Sequence, residues 1–433
     1  MVSHMLYNIN RKGGDFMRAI KTKLRQKGQN YQTLRHFCRE ARLLKNDAIR
    51  EIEKEYSKSR KYLTFYETRS ILKGSTHYRQ INSNMSQEIL RHLDFDHQSF
   101  FALAGLKGQG QYDRPISPPR VRYDNIYSPL YINKSQIRIN RSGKFCLPAP
   151  RGFYKNREKV WVAVPDHVDL LKLKQIQIVP KYNGQFFAVH FIVEDGLQIE
   201  GSSPINKALA IDLGLTNFAT CVTSYGESFI IDGKRLKSHY SFFYKERRKI
   251  SKLKSKQQLD HTTNRELKLC QKLDNISENF VKQACRYVIN YCLEHKIDTV
   301  VIGYHNEFQQ GVKLRRSTNR AFTSLPFGEF RKQLQHLCQR YGLNYVEQEE
   351  SYTSKSSLFD RDPLPVFDGK KYQGTFSGRR ICRGLYQTGD GTIINADVNG
   401  ALNILRKTNL LELNVGLLQS KCRVDRPLRI RLI

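Results

Sequence analysis

Past residue 207, three short apolar runs follow one another with barely a turn between them, and this pattern restricts the fold more than any other in the chain. Residues 208–213, 217–223 and 228–232 are rich in Ile, Val, Phe and Ala, and Gly214 and Gly226 fall in the gaps, so they read as a β-meander. A single acid, Asp212, interrupts the first run. A long helical block follows at 241–296, dense in Lys and Arg at its start and amphipathic over 280–293. Then come a buried-type strand (299–302), a helix (327–340), a strand (343–348) and a last helix (396–407) with Asn395 placed to cap it.

The first 200 or so residues have a different texture and read as a separate lobe. Residues 19–27 predict a strand, and 31–56 put Leu34, Cys38, Ala41, Leu44 and Ala48 on one helical face. Helical spacing returns over 82–106 through Met85, Ile89, Leu90, Leu93 and Phe100, until the Pro/Gly-rich stretch 108–119 breaks it. Residues 136–139, 159–164, 175–180 and 186–193 alternate as strands. Strand, helices, then several strands predict a small β-barrel made of 1–30 and 110–200, with 31–109 as a helical insertion. Residues 201–204 read as a linker and 205–407 as a second domain. The basic stretch 408–433 reads as a loosely held tail. The expected fold class is a multidomain α+β and α/β chain.

Charge bounds the partners. The chain has 73 Lys and Arg against 40 Asp and Glu, a formal net charge of +33. Such an excess repels itself unless a polyanion neutralises it, which points to nucleic acid; a structural ribosomal or RNP role is the plainer alternative. A hydrophobic content of 39% excludes compositional disorder. No apolar run approaches the roughly 18–20 residues that cross a bilayer, and no signal peptide is legible, so no membrane partner is expected and the chain reads as cytoplasmic. The nine cysteines include no CxxC pair, which fits free thiols in a reducing compartment. Cys38, Cys285 and Cys292 sit in helical patterns as small core residues.

A meander followed by strands alternating with helices is the order of an RNase H-like nuclease core. Its chemistry needs several carboxylates close together, holding two divalent cations about 3.5–4 Å apart for phosphodiester hydrolysis. An all-oxygen cluster suits Mg²⁺. Asp212 stands near the end of the first strand, and Asp397 in the first turn of the last helix, where Ala396, Gly400 and Ala401 allow close approach to a sheet. Each acid alone also has an ordinary reading, a turn former and a residue favoured by the helix dipole. Together, in this strand order, they point to a metal site.

Several stretches resemble the TnpB family, the OrfB proteins of small insertion sequences related to compact type V CRISPR effectors. They are Asp212-Leu213-Gly214-Leu215-Thr216-Asn217, Tyr352-Thr353-Ser354-Lys355, and Ile394-Asn395-Ala396-Asp397-Val398-Asn399-Gly400-Ala401-Leu402-Asn403-Ile404. Residues 93–101 and Tyr112-Asp113-Arg114-Pro115 match as well. The resemblance implies a split oligonucleotide-type β-barrel with a helical recognition insertion, followed by an RNase H-like RuvC nuclease domain with a helical insertion at 241–296. It implies a bacterial, nucleoid-associated, RNA-guided DNA endonuclease. Its partners would be a guide RNA made from the transposon end and double-stranded target DNA bearing a short adjacent motif. Its cofactors would be two Mg²⁺ ions, with Mn²⁺ able to substitute. A single copy per complex is the favoured state.

Two departures matter. Most relatives carry a catalytic Glu where this chain has Gly303. The next strand, however, ends in Glu347-Gln348-Glu349-Glu350-Ser351, and an acid there can reach across the small Gly303 toward Asp212, as in a TnpB subgroup with a rearranged site. Asp212, Glu350 and Asp397 are therefore the expected catalytic and metal-binding acids, with Glu349 as second choice because neighbours on a strand face opposite ways. Relatives also carry two Cys pairs near the last acid. Residues 354–394 hold only Cys382, with Ser356, Ser357 and Leu358 at the start, so no zinc is expected. Asp360 and Asp362 read as solvated loop acids.

Basic residues alternate with aromatics at 60–66, 78–79, 120–123 and 242–248, a pattern that combines phosphate contact with base stacking. Lys245, Arg247, Arg248 and Lys252 are expected to line a heteroduplex channel. Arg79, Gln80, Asn82, Asn84 and Gln87 are expected to read a short DNA motif. The alternatives are a nuclease-inactive RNA-guided DNA-binding regulator and a compact type V CRISPR effector.

Overall fold

The computed structural model describes residues 17–24, 27–112, 114–123, 126–194, 204–304, 323–367, 372–382, 384–420 and 426–432. The expected linker 201–204 lies outside them except for Pro204, as does Asp113. The chain divides into two compact units, residues 1–198 and 199–433.

In the first unit, β1 (Met17–Leu24) pairs antiparallel with β6 (Phe186–Glu194), although more than 160 residues separate them. β5 (Leu173–Lys181) and β2 (Leu130–Asn133) complete an open sheet in the order β1-β6-β5-β2. β3 (Lys144–Cys146) and β4 (Trp161–Ala163) form a separate ribbon. The expected barrel is thus, among the described residues, an open four-stranded sheet beside a two-stranded ribbon. Between β1 and β2 the chain inserts α1 (Gly28–Ser59), α2 (Phe65–Leu72), α3 (Thr76–Arg79) and α4 (Ser83–Gly108). Their apolar stripes close one core: Leu34, Phe37, Cys38, Ala41 and Leu44 of α1 and Met85, Ile89 and Leu90 of α4 are buried with Ile176, Ile178, Val189 and Phe191 of the sheet. A capping box between Thr64 and Glu67 starts α2. Residues 136–139 are not a strand. Lys134–Gln136 turns as a 3-10 helix, and Ile139 makes only one bridge, to Phe145.

The second unit is built on six strands in the order β11-β10-β7-β8-β9-β15. β7 (Ala208–Leu213), β8 (Asn217–Thr223) and β9 (Ser228–Asp232) form the expected meander. β10 (Thr299–Gly303) lies parallel to both β7 and β11 (Asn344–Gln348). The block expected at 241–296 is two helices, α5 (Lys234–Lys256) and α6 (Asn264–Glu294). Gln258 takes a left-handed φ of 52° between them, and a Thr263/Glu266 capping box starts the second. α6 and α7 (Phe327–Arg340) cover one face of the sheet with an apolar core. There Phe218 stacks on Phe327 and meets Phe280 and Phe330 edge-on. α8 (Ala396–Lys407) covers the other face. A small antiparallel sheet of β12 (Arg379–Cys382), β13 (Leu385–Gln387) and β14 (Ile393–Asn395) leads directly into α8.

The tail is not loose where it is described. After α9 (Val415–Ser420), Leu428–Ile430 forms β15 and pairs parallel with β9, extending the main sheet by one strand. No helix among the described residues is long and apolar enough to cross a membrane.

Candidate active site

Because β7, β10 and β11 run parallel, their carboxyl ends share one edge of the sheet, the place where open α/β sheets present ligand-binding groups. Register puts Ile302 beside both Ile211 and Glu347. One step further along stand Asp212 and Gly303, and Glu350 follows just after β11. Small residues make the room. A Cβ built on Gly400 would meet Asp212 Oδ2 at 3.1 Å, so α8 rests its bare backbone against that carboxylate. On Gly303 a Cβ would lie 2.6 Å from Glu350 Oε2 and 2.5 Å from Ile404 Cδ1. The Glu350 carboxylate therefore occupies the volume that Gly303 leaves.

Asp397 enters from α8. Asn395 Oδ1 accepts from the backbone N–H groups of Asp397 (3.0 Å) and Val398 (3.2 Å), which fixes the first turn. The Asp397 carboxylate accepts from Asn217 Nδ2 at 2.7 Å and from Arg380 Nη2 at 3.1 Å.

The electrostatics are strained. Burial, then the neighbouring Glu350 and Asp397 charges, push the Asp212 carboxyl well above the usual carboxylate range. Burial, then the Glu349 charge, push Glu350 up to about 7. Glu349 is the opposite case: burial works against its charge, but hydrogen bonds from Lys407 and Ser351 outweigh it and hold the carboxyl low. Two acids that resist ionising together, with oxygen ligands only, are the donor set a hard divalent cation relieves. Glu349, bound to a nearly buried Lys407, has already found its cation.

Among the described residues, no group of three or more His, Cys, Asp or Glu stands close enough to share a metal ion. Asp212 feels the charge of both other acids, but Asp397 is turned onto Arg380 and Asn217, so the three are neighbours without forming a closed cluster.

Behind the acids, α8 grips the loop after Glu350. Asn403 Nδ2 donates to Thr353 O (3.0 Å) and Ser356 O (2.6 Å), and Asn399 Nδ2 donates to Ser356 O (2.8 Å). Asp362 is not a solvated acid. It is buried and accepts from Ser357 N, Ser377 N and Ser377 Oγ, tying three turns together. Asp360 likewise accepts from Gly389 N at 2.7 Å. Cys382 lies exposed on β12.

Most of the expected nucleic-acid contacts are placed on the surface. Lys245, Arg247, Arg248 and Lys252 are exposed on α5, with Phe242 and Leu253 also open to solvent. In the first unit Arg79, Gln80 and Asn84 are exposed and Gln87 is half-buried. Asn82 is otherwise engaged: its Oδ1 caps α4 and accepts from Gln136 Nε2 at 2.8 Å, so it is not free to read bases. Tyr78 belongs to the core, whereas Tyr66 and Tyr123 are 75% and 76% exposed. Sequence reasoning did not single out Asn217 within its motif, and nothing in the sequence marked Arg380.

A family model described as a probable transposase of the OrfB/IS605 type matches residues 190–309, and a Cas12f1-like TNB domain model matches 327–404. A TnpB-like protein, ORF457 of Acidianus two-tailed virus, is 21% identical over 406 residues, covering 83% of this chain and 82% of that protein. The chain is thus similar to OrfB/TnpB-type proteins over two stretches that fall almost wholly in its second unit and, at low identity, along most of its length. A cryo-EM structure of a Cas12f1–sgRNA–target DNA complex shares the fold with a TM-score of 0.52 at 15% identity, over 87% of this chain and 82% of its own. That likeness extends over both units of the chain.

Proposed function

We propose that this chain is an RNA-guided DNA endonuclease whose second unit is an RNase H-like, RuvC-type nuclease domain. The observation that carries the reading is the placement of two acids at the carboxyl edge of three parallel strands, Glu350 in the space that Gly303 leaves and Asp212 against the bare backbone of Gly400. Similarity to the OrfB/IS605 and Cas12f1-like TNB family models supports the same reading, as do the sgRNA and target DNA of the Cas12f1 complex that shares the fold.

Asp212, Glu350 and Asp397 are the residues that would hold divalent cations, Mg²⁺ or Mn²⁺. When bound, such ions supply an activated water and stabilise the leaving oxygen of a phosphodiester. The chain's own work is positioning. Gly303 and Gly400 admit Glu350 and Asp212 to the sheet edge, Asn217 orients Asp397, and Arg380 balances its charge. The exposed basic face of α5 offers phosphate contacts to a guide–target duplex read by its shape. The first unit, with its helical insertion, is the lobe we assign to guide RNA and to the short DNA motif.

The test is cleavage of a DNA duplex matched to the RNA that copurifies with the protein. Asp212→Asn, Glu350→Gln and Asp397→Asn should each lose more than the ~10–100-fold typical of outer-shell changes, with DNA binding retained. Wild-type cleavage by Glu350→Gln would reject the rearranged site. Mg²⁺-independent binding with no cleavage by the wild-type protein would identify a regulator instead.

A further inference from the structure

The tail strand β15 is wired to Asp397. Ile430 and Leu432 pack on the aromatic side of the main sheet, as do Phe229 and Ile231 of β9. Side-chain alternation therefore turns Arg429 and Asp232 to the opposite face, the one that bears the acids. There Arg429 Nη1 donates to Asp232 Oδ2 at 2.7 Å and to Asn217 Oδ1 at 3.0 Å. Asn217 Nδ2 in turn donates to Asp397 Oδ2 at 2.7 Å. The other oxygen of Asp232 accepts from Lys234 N at 2.7 Å, so the anchor of the guanidinium is itself fixed.

The amide makes this chain of bonds directional. A guanidinium only donates and a carboxylate only accepts, so Asn217 satisfies both neighbours in one of its two flip states. In the other state its NH₂ would face Arg429 and its carbonyl would face Asp397, and both contacts would be repulsive. We propose that Arg429 is a positioning residue for Asp397, acting through Asn217. The proposal rests on reading Asp397 as a cation-holding acid. With Oδ2 held by Asn217 and Oδ1 by Arg380, the carboxylate is kept in one orientation, the one in which it would hold a cation.

The experiment uses the protein with its copurifying RNA. Mn²⁺ is titrated while the melting temperature is followed, and the Mg²⁺ dependence of cleavage is measured on matched duplex. Arg429→Ala should raise the half-saturating metal concentration about 10-fold in both assays and lower kcat, with KM for DNA unchanged. Arg429→Lys, which also only donates, should recover most of the loss. Asn217→Ala, which leaves β15 intact, should reproduce the shift, and adding Arg429→Ala to it should cost nothing more. A wild-type metal response in Asn217→Ala, or additive losses in the double variant, overturns the relay. An unchanged metal response in Asp397→Asn overturns the parent reading and the relay with it.

Discussion

The two faces of the main sheet in the second unit are covered in opposite ways. Toward α6 and α7 it presents Leu209, Ile211, Phe218 and Phe229, and the helices answer with Phe280, Val288, Phe327, Phe330 and Leu334. That interface is thick, aromatic and apolar. Toward α8 it presents Ala208, Ala210, Val222 and Val301, small or short side chains that let a helix carrying Gly400 and Ala401 come close. Polar groups run through this second interface: Asp212 at the sheet edge, Asn399 and Asn403 wholly buried on the helix. Area burial at ~25 cal/mol per Å² accumulates on the first face. The second gives up apolar area in exchange for acids placed at fixed positions. One sheet thus separates the task of holding itself together from that of carrying charge.

The largest effect expected from breaking this division is on the aromatic side. Phe218→Ala removes a ring that three other rings contact and should cost ~3–5 kcal/mol of stability, read by denaturant unfolding, while the folded fraction still cleaves DNA. A loss of cleavage with stability intact would show that the faces are not separable. On the acid side, Gly303→Ala places a Cβ into Glu350 and Ile404. Displacing a reacting group by an ångström can cost on the order of 100-fold, so this one methyl should cut kcat by about that factor with little change in melting temperature. The smallest effect concerns pH. Glu350 sits at about 7 in the metal-free fold against an ordinary 4.5. At pH 4 both folded and unfolded chains hold its proton and no penalty arises. Between about 4.5 and 7 the unfolded chain releases the proton first, so stability from this group falls as pH rises and is fully lost above 7. The melting temperature of metal-free protein should therefore drop from pH 5 to pH 8 and recover on adding Mg²⁺. Glu350→Gln should flatten the slope; an undiminished slope in that variant would assign it elsewhere.

Much of this arrangement was legible in the sequence. The helices Phe327–Arg340 and Ala396–Lys407 were readable to the residue, because each buries one clean stripe against a sheet. Asp212 and Asp397 stood out as acids beside apolar or small residues, and Glu350 followed from the gap at Gly303. What escaped was non-local or very short. β15 is three residues whose partner lies nearly 200 positions upstream, and no local periodicity encodes such a pairing. β12 has four residues, all exposed, and β13 and β14 have three each, too few to display the alternation that marks a half-buried strand. Residues 136–139 erred the other way: the alternation is present, but the preceding turn at Lys134–Gln136 spends the backbone on local hydrogen bonds. Asp362 looked solvated because its partners, Ser357 and Ser377, sit on turns that only the folded chain brings together.

The bare α-carbon at position 303 has an evolutionary corollary. Its missing side chain and the Glu350 head group are rival tenants of a single space, so an acid can be housed at the end of β10 or just after β11 but not in both places. An exchange such as Gly303→Glu together with Glu350→Gly would move the charge from one of these places to the other without enlarging the chamber. Lineages that drift between the two layouts should pass through paired changes at these positions, leaving a signature of covariation.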